Sequence, residues 1–337
     1  MPVVYIFCVG AVMSEKKIAI VTGSNKGIGF AIVQGLCQRF DGLVYLTSRN
    51  EELGKAAAAK LKQLDNPPHY HQLDVSDKES MIKFRDYIKD KHGGIDILIN
   101  NAGIGEALQT SYEGCKNIID INFGGIVNAQ EYLFPLLRDN ARVLNISSSC
   151  GHLSNLKNME WIKRLSKNDL SKSDIDEFVN WYLESVKTGT FKKDDFVDGG
   201  LVATYRVAKI GVCALTMIQQ RELEPRGISV NSMHPGLVST SMTMGIGFLT
   251  PDQAAETPIH LVLDAPASLR GKYVWYNGEV VDWFDYKTDK YYFRSASLGK
   301  QLMKNLTRLP ADVLCSPSTW VGVLAMVLIA VITKIFQ

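Results

Sequence analysis

Tyr205 and Lys209 are four residues apart, a spacing that puts two side chains on one face of a helix. A nearby ammonium favours the phenolate, so the pair predicts a pKa for Tyr205 below the usual value of about 10. Such a tyrosine can give a proton to a carbonyl oxygen that receives a hydride, or take one from an alcohol. A serine hydroxyl beside it would stabilise charge on that oxygen, and Ser148 follows a predicted strand.

The tyrosine and lysine spacing alone does not identify the site. It occurs four times, at Tyr87 and Lys91, Tyr112 and Lys116, Tyr205 and Lys209, and Tyr286 and Lys290. Among these tyrosines, only Tyr205 begins an apolar helix between the strand before Ser148 and a strand that leads to Pro235-Gly236. Its place in the chain therefore favours Tyr205.

A glycine-rich stretch near the N-terminus predicts a binding site for a pyrophosphate. Residues 18–21 predict a buried strand, and an apolar run with helical spacing begins beside Gly29. Glycines between a strand and a helix let the backbone approach the phosphates, and the helix dipole favours their charge. The spacing is G-x-x-x-G-x-G, which differs from the usual G-x-G-x-x-G pattern. The predicted contacts are Gly23, Asn25, Lys26, Gly27, Ile28 and Gly29.

The residues after the second predicted strand favour NADPH over NADH. An acidic residue about 20 positions after the glycines binds a ribose 2′-hydroxyl, whereas an arginine accommodates a 2′-phosphate. Ser48 and Arg49 occupy this place, and Lys26 adds a second positive charge in the turn. Asp74 ends the third predicted strand, at the sheet edge where ligands bind, and is predicted to contact adenine.

Strands alternate with helices along the chain, which predicts a doubly wound parallel sheet, the Rossmann type of α/β fold. Apolar runs predict strands at residues 18–21, 43–47, 70–75, 95–99, 143–146, 228–230 and 273–276. Helical patterns lie at residues 51–64, 78–91, 115–137 and 205–223, and a last helix begins at Thr250-Pro251.

A single domain is expected over residues 14–283, with an insertion at residues 152–204 before the tyrosine. The insertion is predicted to contain helices near 157–166 and 173–187, the second beginning with a capping box of Ser173 and Asp176.

The composition is that of an ordinary globular protein. Of 337 residues, 46% are hydrophobic and 21% are charged, and a net charge of +2 gives no reason to expect a nucleic-acid partner. The six cysteines form no C-x-x-C pair and the six histidines show no ligand spacing, so neither a metal site nor a disulfide framework is predicted. A reducing compartment is the simpler interpretation.

The two ends differ from the middle of the chain. Residues 1–13 form an apolar extension without the basic start of a signal peptide. Residues 284–312 are polar and basic and are interpreted as a linker. The uncharged run that follows has a length close to the ~20 residues that span a bilayer. The hydrophobic tail at residues 313–337 is therefore predicted to be a transmembrane anchor, with the domain facing the cytosol; the alternative is a core helix or a surface-lying segment.

These motifs occur in the order of the short-chain dehydrogenases/reductases, a family that the chain resembles from about residue 16 to residue 283. The matching motifs are Thr22-Gly23-Ser24-Asn25-Lys26-Gly27-Ile28-Gly29, Asn100-Asn101-Ala102-Gly103, Asn122, Ser148, Tyr205-x-x-x-Lys209 and Pro235-Gly236. The Asn-Lys pair in the glycine turn and the long insertion look like the NADPH-dependent carbonyl reductase branch.

The resemblance implies a role for each matching residue. Tyr205 would be the general acid and base, and Lys209 would hold the nicotinamide ribose and lower the pKa of the tyrosine. Ser148 would orient the substrate carbonyl, and Asn122 would hold a water of the proton relay. The remaining implied cofactor contacts are Asp74, Val75 and Asn101 at the adenosine half, and Pro235, Gly236, Val238 and Thr240 at the nicotinamide end.

The chain also departs from that branch. Leu237 follows Pro235-Gly236, where carbonyl reductases often carry a tryptophan in the pocket wall, and Cys150 and His234 border the pocket by position. The insertion occupies a region through which many relatives form oligomers, and in carbonyl reductases it goes with a monomer. The hydrophobic tail is not part of the usual pattern.

Three functions remain open from the sequence. The first is NADPH-dependent reduction of aldehydes, ketones or quinones, with Tyr205 as the acid. The second is an NAD(P)-dependent alcohol or hydroxysteroid dehydrogenase on the same scaffold. The third is a non-catalytic NADPH-binding membrane sensor, against which the intact set of Asn122, Ser148, Tyr205 and Lys209 argues.

Overall fold

A single eight-stranded sheet forms the centre of the protein. The computed structural model describes residues 16–105, 111–200, 202–243 and 245–290. The strands are β1 (Lys17–Val21), β2 (Gly42–Ser48), β3 (His69–Gln72), β4 (Ile95–Asn100), β5 (Leu137–Ile146), β6 (Ser229–Met233), β7 (Tyr273–Val274) and β8 (Val280–Val281). Their order is β3-β2-β1-β4-β5-β6-β7-β8, and all pairs are parallel except β7 with β8. The predicted doubly wound sheet is confirmed.

Helices cover both faces of this sheet. They are α1 (Gly27–Arg39), α2 (Glu51–Ala59), α3 (Lys78–His92), α4 (Tyr112–Ile119), α5 (Gly125–Tyr132), α6 (Met159–Leu165), α7 (Lys172–Lys187), α8 (Ala203–Leu223) and α9 (Pro251–Leu263). Side chains of α1 and α9 pack on one face with Ala19 and Val21 of β1, whereas α3 and α5 pack on the other with Ile18 and Ile20. Successive side chains of a strand point to opposite faces, and both faces of the sheet are covered here, so the four buried residues of β1, at 18–21, are all apolar.

The order of the strands reverses beside β1. The chain moves from β1 outward through β2 to β3, then returns to pair β4 with the other side of β1. Ligands of open α/β sheets bind in the crevice at the carboxyl ends of the strands where the order reverses. The glycine turn after β1 and the asparagines that end β4 therefore meet at one edge of the sheet.

The predicted helix at residues 115–137 is interrupted in the structure. α4 is followed by a wide, π-helical turn at Asp120–Gly124, and α5 ends before a 3-10 turn at Phe134–Leu136. The glycine pair at 124 and 125 lowers the cost of widening the turn, and Pro135 cannot donate the hydrogen bond that a continuing helix needs. Periodicity alone does not reveal such a turn.

Several other boundaries differ from the sequence prediction. The helix expected at 51–64 ends at Ala59, and the strand expected at 70–75 is His69–Gln72. β5 begins at Leu137, earlier than expected, and its pairing with β4 shifts register between Ile95 and Ile97. The exact ends of strands are decided by their partners more than by local propensity.

Two helices form the insertion, as predicted. Trp161 of α6 packs against Phe178 and Trp181 of α7, with ring centroids 5.5 Å apart in each pair. The capping box predicted for Ser173 and Asp176 is wrong. The box consists of Ser171 and Asp174, because Asp174 also accepts a hydrogen bond from Arg164 at 2.7 Å, while Asp176 pairs with Lys172.

Within the part of the chain that the structure describes, no helix is long and apolar enough to cross a bilayer. The predicted N-terminal extension and the hydrophobic tail lie outside the described residues, as does the linker beyond residue 290.

Candidate active site

The glycine turn after β1 is pressed against the end of β4. Gly23 has a φ of 61°, and a Cβ there would lie 2.7 Å from the Cα of Ala102. A Cβ on Gly29 would lie 2.4 Å from the Nδ2 atom of Asn101. Asn101 uses that amide to donate to the carbonyl oxygens of Thr22 at 2.9 Å and Gly23 at 3.1 Å. Larger residues at Gly23 or Gly29 would push the two segments apart.

A cavity of about 390 Å³ opens over this turn. It is lined by eleven of the predicted cofactor contacts, namely Gly23, Asn25, Lys26, Gly27, Ile28, Gly29, Arg49, Asp74, Val75, Asn101 and Thr240. The N-cap residue of α1, Lys26, makes no side-chain hydrogen bond to the helix, so the N–H groups of the first turn are available to an anion. The cavity thus combines a glycine cradle with a helix N-terminus.

Two cations lie at this cavity. Lys26 and Arg49 are exposed, and within the described ranges neither forms an ion pair with a carboxylate. Asp74 lies opposite, where its Oδ1 accepts hydrogen bonds from the backbone N–H of Ser76 at 3.0 Å and the hydroxyl of Ser76 at 2.7 Å. The donor set suits a dinucleotide that carries an additional phosphate.

Tyr205 and Ser148 come together at the carboxyl end of β5. Their hydroxyl groups are joined by a hydrogen bond, and both side chains are only partly buried. Burial nevertheless raises the pKa of Tyr205 above its ordinary value, and the Ser148 bond offsets this in part. The prediction of a lowered tyrosine pKa is therefore wrong. The pKa is raised because removal of the phenol from water disfavours the phenolate more than the surrounding groups favour it.

Lys209 lies below the tyrosine ring. Its Nζ atom is 5.6 Å from the ring centroid of Tyr205 and donates to the carbonyl oxygen of Ile146 at 2.8 Å. Burial lowers the pKa of Lys209 to about 8. A lysine with this pKa is still mostly protonated at neutral pH, so it can offer N–H donors to a ligand beside Tyr205.

Asn122 lies in the wide turn between α4 and α5 and is completely buried. Its Nδ2 atom donates to the carbonyl oxygens of Ile104 at 2.9 Å and Ile118 at 3.0 Å, and its Oδ1 accepts from the N–H of Ile104 at 3.1 Å. The side chain thus ties the segment after β4 to the turn. π-Helical turns of this type are frequent at functional sites.

The segment after β6 reaches the same edge of the sheet. Gly236 has a φ of 86°, and Val238 forms an isolated bridge with Leu249. The Cγ2 atom of Thr240 would lie 3.5 Å from a Cβ on Gly27, so this segment approaches the glycine turn. Tyr205, Lys209, Pro235, Gly236 and Val238 do not line the cavity over the glycine turn.

Comparison with known proteins decides the family. The family model for short chain dehydrogenase matches residues 17–159 and 196–247, which include the glycine turn, Ser148 and the Tyr205 helix. The chain belongs to the short-chain dehydrogenases. The gap in the match, residues 160–195, lies within the predicted insertion.

This short-chain dehydrogenase is similar to proteins from animals and plants. It is 35% identical over 283 residues to carbonyl reductase (NADPH) 1 of Bos taurus, covering 80% of this chain and 99% of the bovine protein. Salutaridine reductase from Papaver somniferum is 30% identical with a TM-score of 0.69, covering 78% of this chain and all of that one. Menthone neomenthol reductase from Mentha piperita is 27% identical with a TM-score of 0.64, covering 77% and 99% of the two chains.

Sequence reasoning missed part of the site of this short-chain dehydrogenase. Ile104, Gly105, Ile121, Ser241 and Met242 also line the cavity. Ile104 and Gly105 follow β4 and Ile121 precedes Asn122, so their position at the sheet edge was a signal, whereas Ser241 and Met242 lie in the long segment between β6 and α9.

Proposed function

We propose that this short-chain dehydrogenase reduces aldehydes, ketones or quinones to alcohols with NADPH. The observation that carries the proposal is the hydrogen-bonded pair of Tyr205 and Ser148, with Lys209 beneath it, at the same sheet edge as a cavity lined by Lys26 and Arg49. The names of the similar bovine and plant proteins, all reductases, point in the same direction.

The residues of the cavity fit NADPH. Gly23, Gly27 and Gly29 line the cavity where the pyrophosphate would lie, with Asn25 and Ile28 beside it, and Lys26 and Arg49 would bind the 2′-phosphate. The adenosine half would lie against Asp74, Val75 and Asn101. The remaining proposed contacts are Tyr205 and Lys209 at the ribose, and Pro235, Gly236, Val238 and Thr240 at the carboxamide end.

The protein supplies the proton and the polar contacts of the reaction. NADPH, when bound, supplies a hydride from C4 of its nicotinamide ring. The Tyr205 hydroxyl would donate its proton to the carbonyl oxygen, and the raised pKa keeps that proton in place at neutral pH. The Ser148 hydroxyl would donate a hydrogen bond to the same oxygen, where negative charge develops.

Reprotonation of Tyr205 needs a path to solvent. Lys209 lies beside the tyrosine and can carry a proton at neutral pH. Asn122 would complete the path by holding a water. Its side-chain amide already binds the backbone of Ile104 and Ile118, so we expect Asn122 to hold that water through its backbone carbonyl oxygen.

The test is NADPH consumption by the full-length chain with a panel of quinones, aldehydes and ketosteroids. Turnover that falls at least about a hundredfold in Tyr205→Phe would support the proposal. Tyr112→Phe is the matched control. Tyr112 also lies four residues before a lysine, Lys116, but is not part of the proposed site, so this variant should remain active. Preference for NADH would favour the alcohol dehydrogenase alternative, and cofactor binding without turnover on any substrate would favour the sensor alternative.

We also propose a monomeric domain over residues 14–283. The insertion at residues 152–204 supports it, because Ile175, Phe178 and Tyr182 of α7 are buried against residues of α4 and α8 that include Cys115 and Val207. A face covered in this way is not free for a second subunit. The segment 284–312 would be a linker, and 1–13 an extension outside the domain.

Attachment to a membrane through the tail at residues 313–337 is a further part of the proposal. Its support is the sequence alone, an uncharged run of suitable length followed by Lys334 at its end. The catalytic domain would then face the cytosol, where NADPH is available.

A further inference from the structure

One peptide group beside the reacting hydroxyls is held at both of its polar atoms. The carbonyl oxygen of Ser148 accepts a hydrogen bond from the Tyr273 hydroxyl at 2.7 Å. The N–H of Ser149, which belongs to the same peptide group, donates to the Nδ1 atom of His234 at 2.9 Å. Tyr273 of β7 and His234, which directly follows β6, therefore hold one peptide group at its two polar atoms.

Both side chains are buried and have fixed protonation states. Tyr273 is 3% exposed and His234 is 8% exposed. Because His234 Nδ1 accepts a hydrogen bond from an N–H, the ring proton must lie on Nε2. Burial lowers the pKa of His234 to about 3 and raises that of Tyr273 well above its ordinary value. The acceptor and the donor therefore keep their roles across the physiological pH range.

The two side chains are held rigidly relative to each other. His234 directly follows β6, and its backbone N–H donates to the carbonyl oxygen of Val274 in β7 at 2.9 Å. The His234 ring packs against Trp275 with centroids 4.3 Å apart. Tyr273 pairs with Ser232 in the parallel ladder of β6 and β7. The pairing of β6 with β7 therefore fixes the positions of Tyr273 and His234 relative to each other.

The orientation of this peptide group determines where Ser148 points. Ser148 is fully extended, with φ of −165° and ψ of 163°, and rotation of the following peptide plane is rotation about that ψ. Its Oγ accepts from the N–H of Cys150 at 3.2 Å and also bonds to Tyr205. A turned peptide would move the Cys150 donor and, with it, the hydroxyl.

We infer that Tyr273 and His234 are positioning residues that act through Ser148, by clamping the Ser148–Ser149 peptide so that the serine hydroxyl is aimed beside Tyr205. The inference rests on the proposed function, since it concerns the same reaction. The gripped peptide is distinct from the neighbouring Gly151 carbonyl, which accepts from Trp283 Nε1 at 2.7 Å. Tyr273 and His234 touch the Ser148 peptide itself.

The chain allows variants that separate hydrogen bonding from packing. Tyr273→Phe removes the donor but keeps the ring. His234→Phe keeps an aromatic ring against Trp275 but removes the acceptor, whereas His234→Asn loses the ring and keeps an oxygen at the position of Nδ1. A purely structural role would make Asn the more damaging of the two His234 variants, and the clamp makes Phe the more damaging.

The experiment measures kcat and KM of the full-length chain for these variants, each with Ser148 and with Ser148→Ala. Tyr273→Phe and His234→Phe should lower kcat about tenfold with an unchanged Kd for NADPH by fluorescence, while His234→Asn stays within about threefold of wild type. In the Ser148→Ala background, the rate constant is measured by single turnover with excess enzyme. There the same substitutions should lower it by less than about twofold, because the hydroxyl that they position is absent.

Three outcomes would overturn the inference. Wild-type kcat in both phenylalanine variants would show that the clamp does not matter. An equal loss with and without Ser148 would show that these residues act by another route. A wild-type chain that binds NADPH but turns over no carbonyl compound would overturn the proposed function and the clamp together, whereas the first two outcomes leave the proposed function intact.

Discussion

Burial sets the acid and base properties of the side chains around Ser148. Tyr205 keeps its proton because the phenolate is disfavoured away from water, and Lys209 loses part of its affinity for a proton for the same reason. A protonated tyrosine suits reduction, in which a proton has to be given. Oxidation of an alcohol by the same residues would need the phenolate and should therefore require a more alkaline medium.

Arg49 should select the cofactor. Replacement by alanine is expected to raise the KM for NADPH about tenfold, because one charge-assisted contact to a phosphate is lost. The KM for NADH should change less than about twofold, since NADH lacks that phosphate. Steady-state kinetics with both cofactors test this, and Arg85→Ala, which removes a partly exposed arginine paired with Asp86, is the control. Equal effects on the two cofactors would refute the assignment of Arg49.

His234 should make the fold sensitive to acid. Its folded pKa of about 3 lies below the ~6.5 of a free histidine, so the unfolded chain binds more protons between these values. This contribution to stability is complete above pH 6.5 and is lost as the pH falls toward 3, by up to about 1.4 kcal/mol per pH unit.

Urea unfolding between pH 7 and pH 4 measures this effect. His234→Asn should show a shallower loss of stability than wild type as the pH falls. Some slope should remain, because burial also lowers the pKa of His71, His92 and His152. Parallel curves for the two proteins would mean that His234 does not contribute.

Helix α8 carries a completely buried arginine beside the reacting tyrosine. Arg206 donates to the carbonyl oxygen of Val197 at 2.6 Å and to Oδ1 of Asn155 at 3.2 Å. It thereby joins the helix of Tyr205 to the segment that precedes it and to the turn after Ser148. Val202, just before the helix, has a φ of 50°, a conformation that costs energy and needs such support.

Arg206→Ala should therefore destabilise the fold by about 3 kcal/mol or more, because buried acceptors lose their donor. Arg39→Ala is the matched control. It removes an exposed ion pair with Asp264 and should cost less than about 1 kcal/mol. Free energies of unfolding from urea titration compare the two, and a loss below about 1 kcal/mol in Arg206→Ala would contradict the proposed supporting role.

The strands were predictable from the sequence, but not all of the turns were. Apolar runs such as residues 18–21 predict buried parallel strands because both faces of the sheet are covered, and they also place the glycine turn correctly. The wide turn at Asp120–Gly124 was not predictable from periodicity, since its side chains continue a helical pattern. The capping box shifted by two residues because Arg164, from the preceding helix, selects Asp174 over Asp176.

The site residues that lie at or just after the carboxyl end of a strand were predictable from the sequence. Arg49 directly follows β2, and Asp74 and Ser148 come two residues after β3 and β5 end, so the topology of the sheet brings them to one edge. The grip on the Ser148 peptide was not predictable, because it depends on the register of β6 with β7 and on the direction of two side chains. The pKa of Tyr205 was wrongly predicted because sequence shows the neighbouring lysine and not the burial.

At the scale of the whole molecule, the covered faces of α4 and α8 predict the state of association. Light scattering of the chain lacking residues 313–337 should give the mass of one chain at micromolar concentration. The full-length chain should remain with vesicles after alkaline carbonate extraction, whereas the shortened chain should be released. A dimer, or equal extraction of both forms, would contradict the respective parts of the proposal.

The last buried contacts of the described chain reach back to the turn after Ser148. His152 Nε2 donates to the carbonyl oxygen of Asp282 at 2.9 Å, and Trp283 donates to Gly151. The end of the domain is therefore joined by hydrogen bonds to the turn that follows Ser148. A chain that ended at residue 281 would lose none of the proposed catalytic or cofactor-binding residues, yet it would lose both of these hydrogen bonds to the turn that follows Ser148.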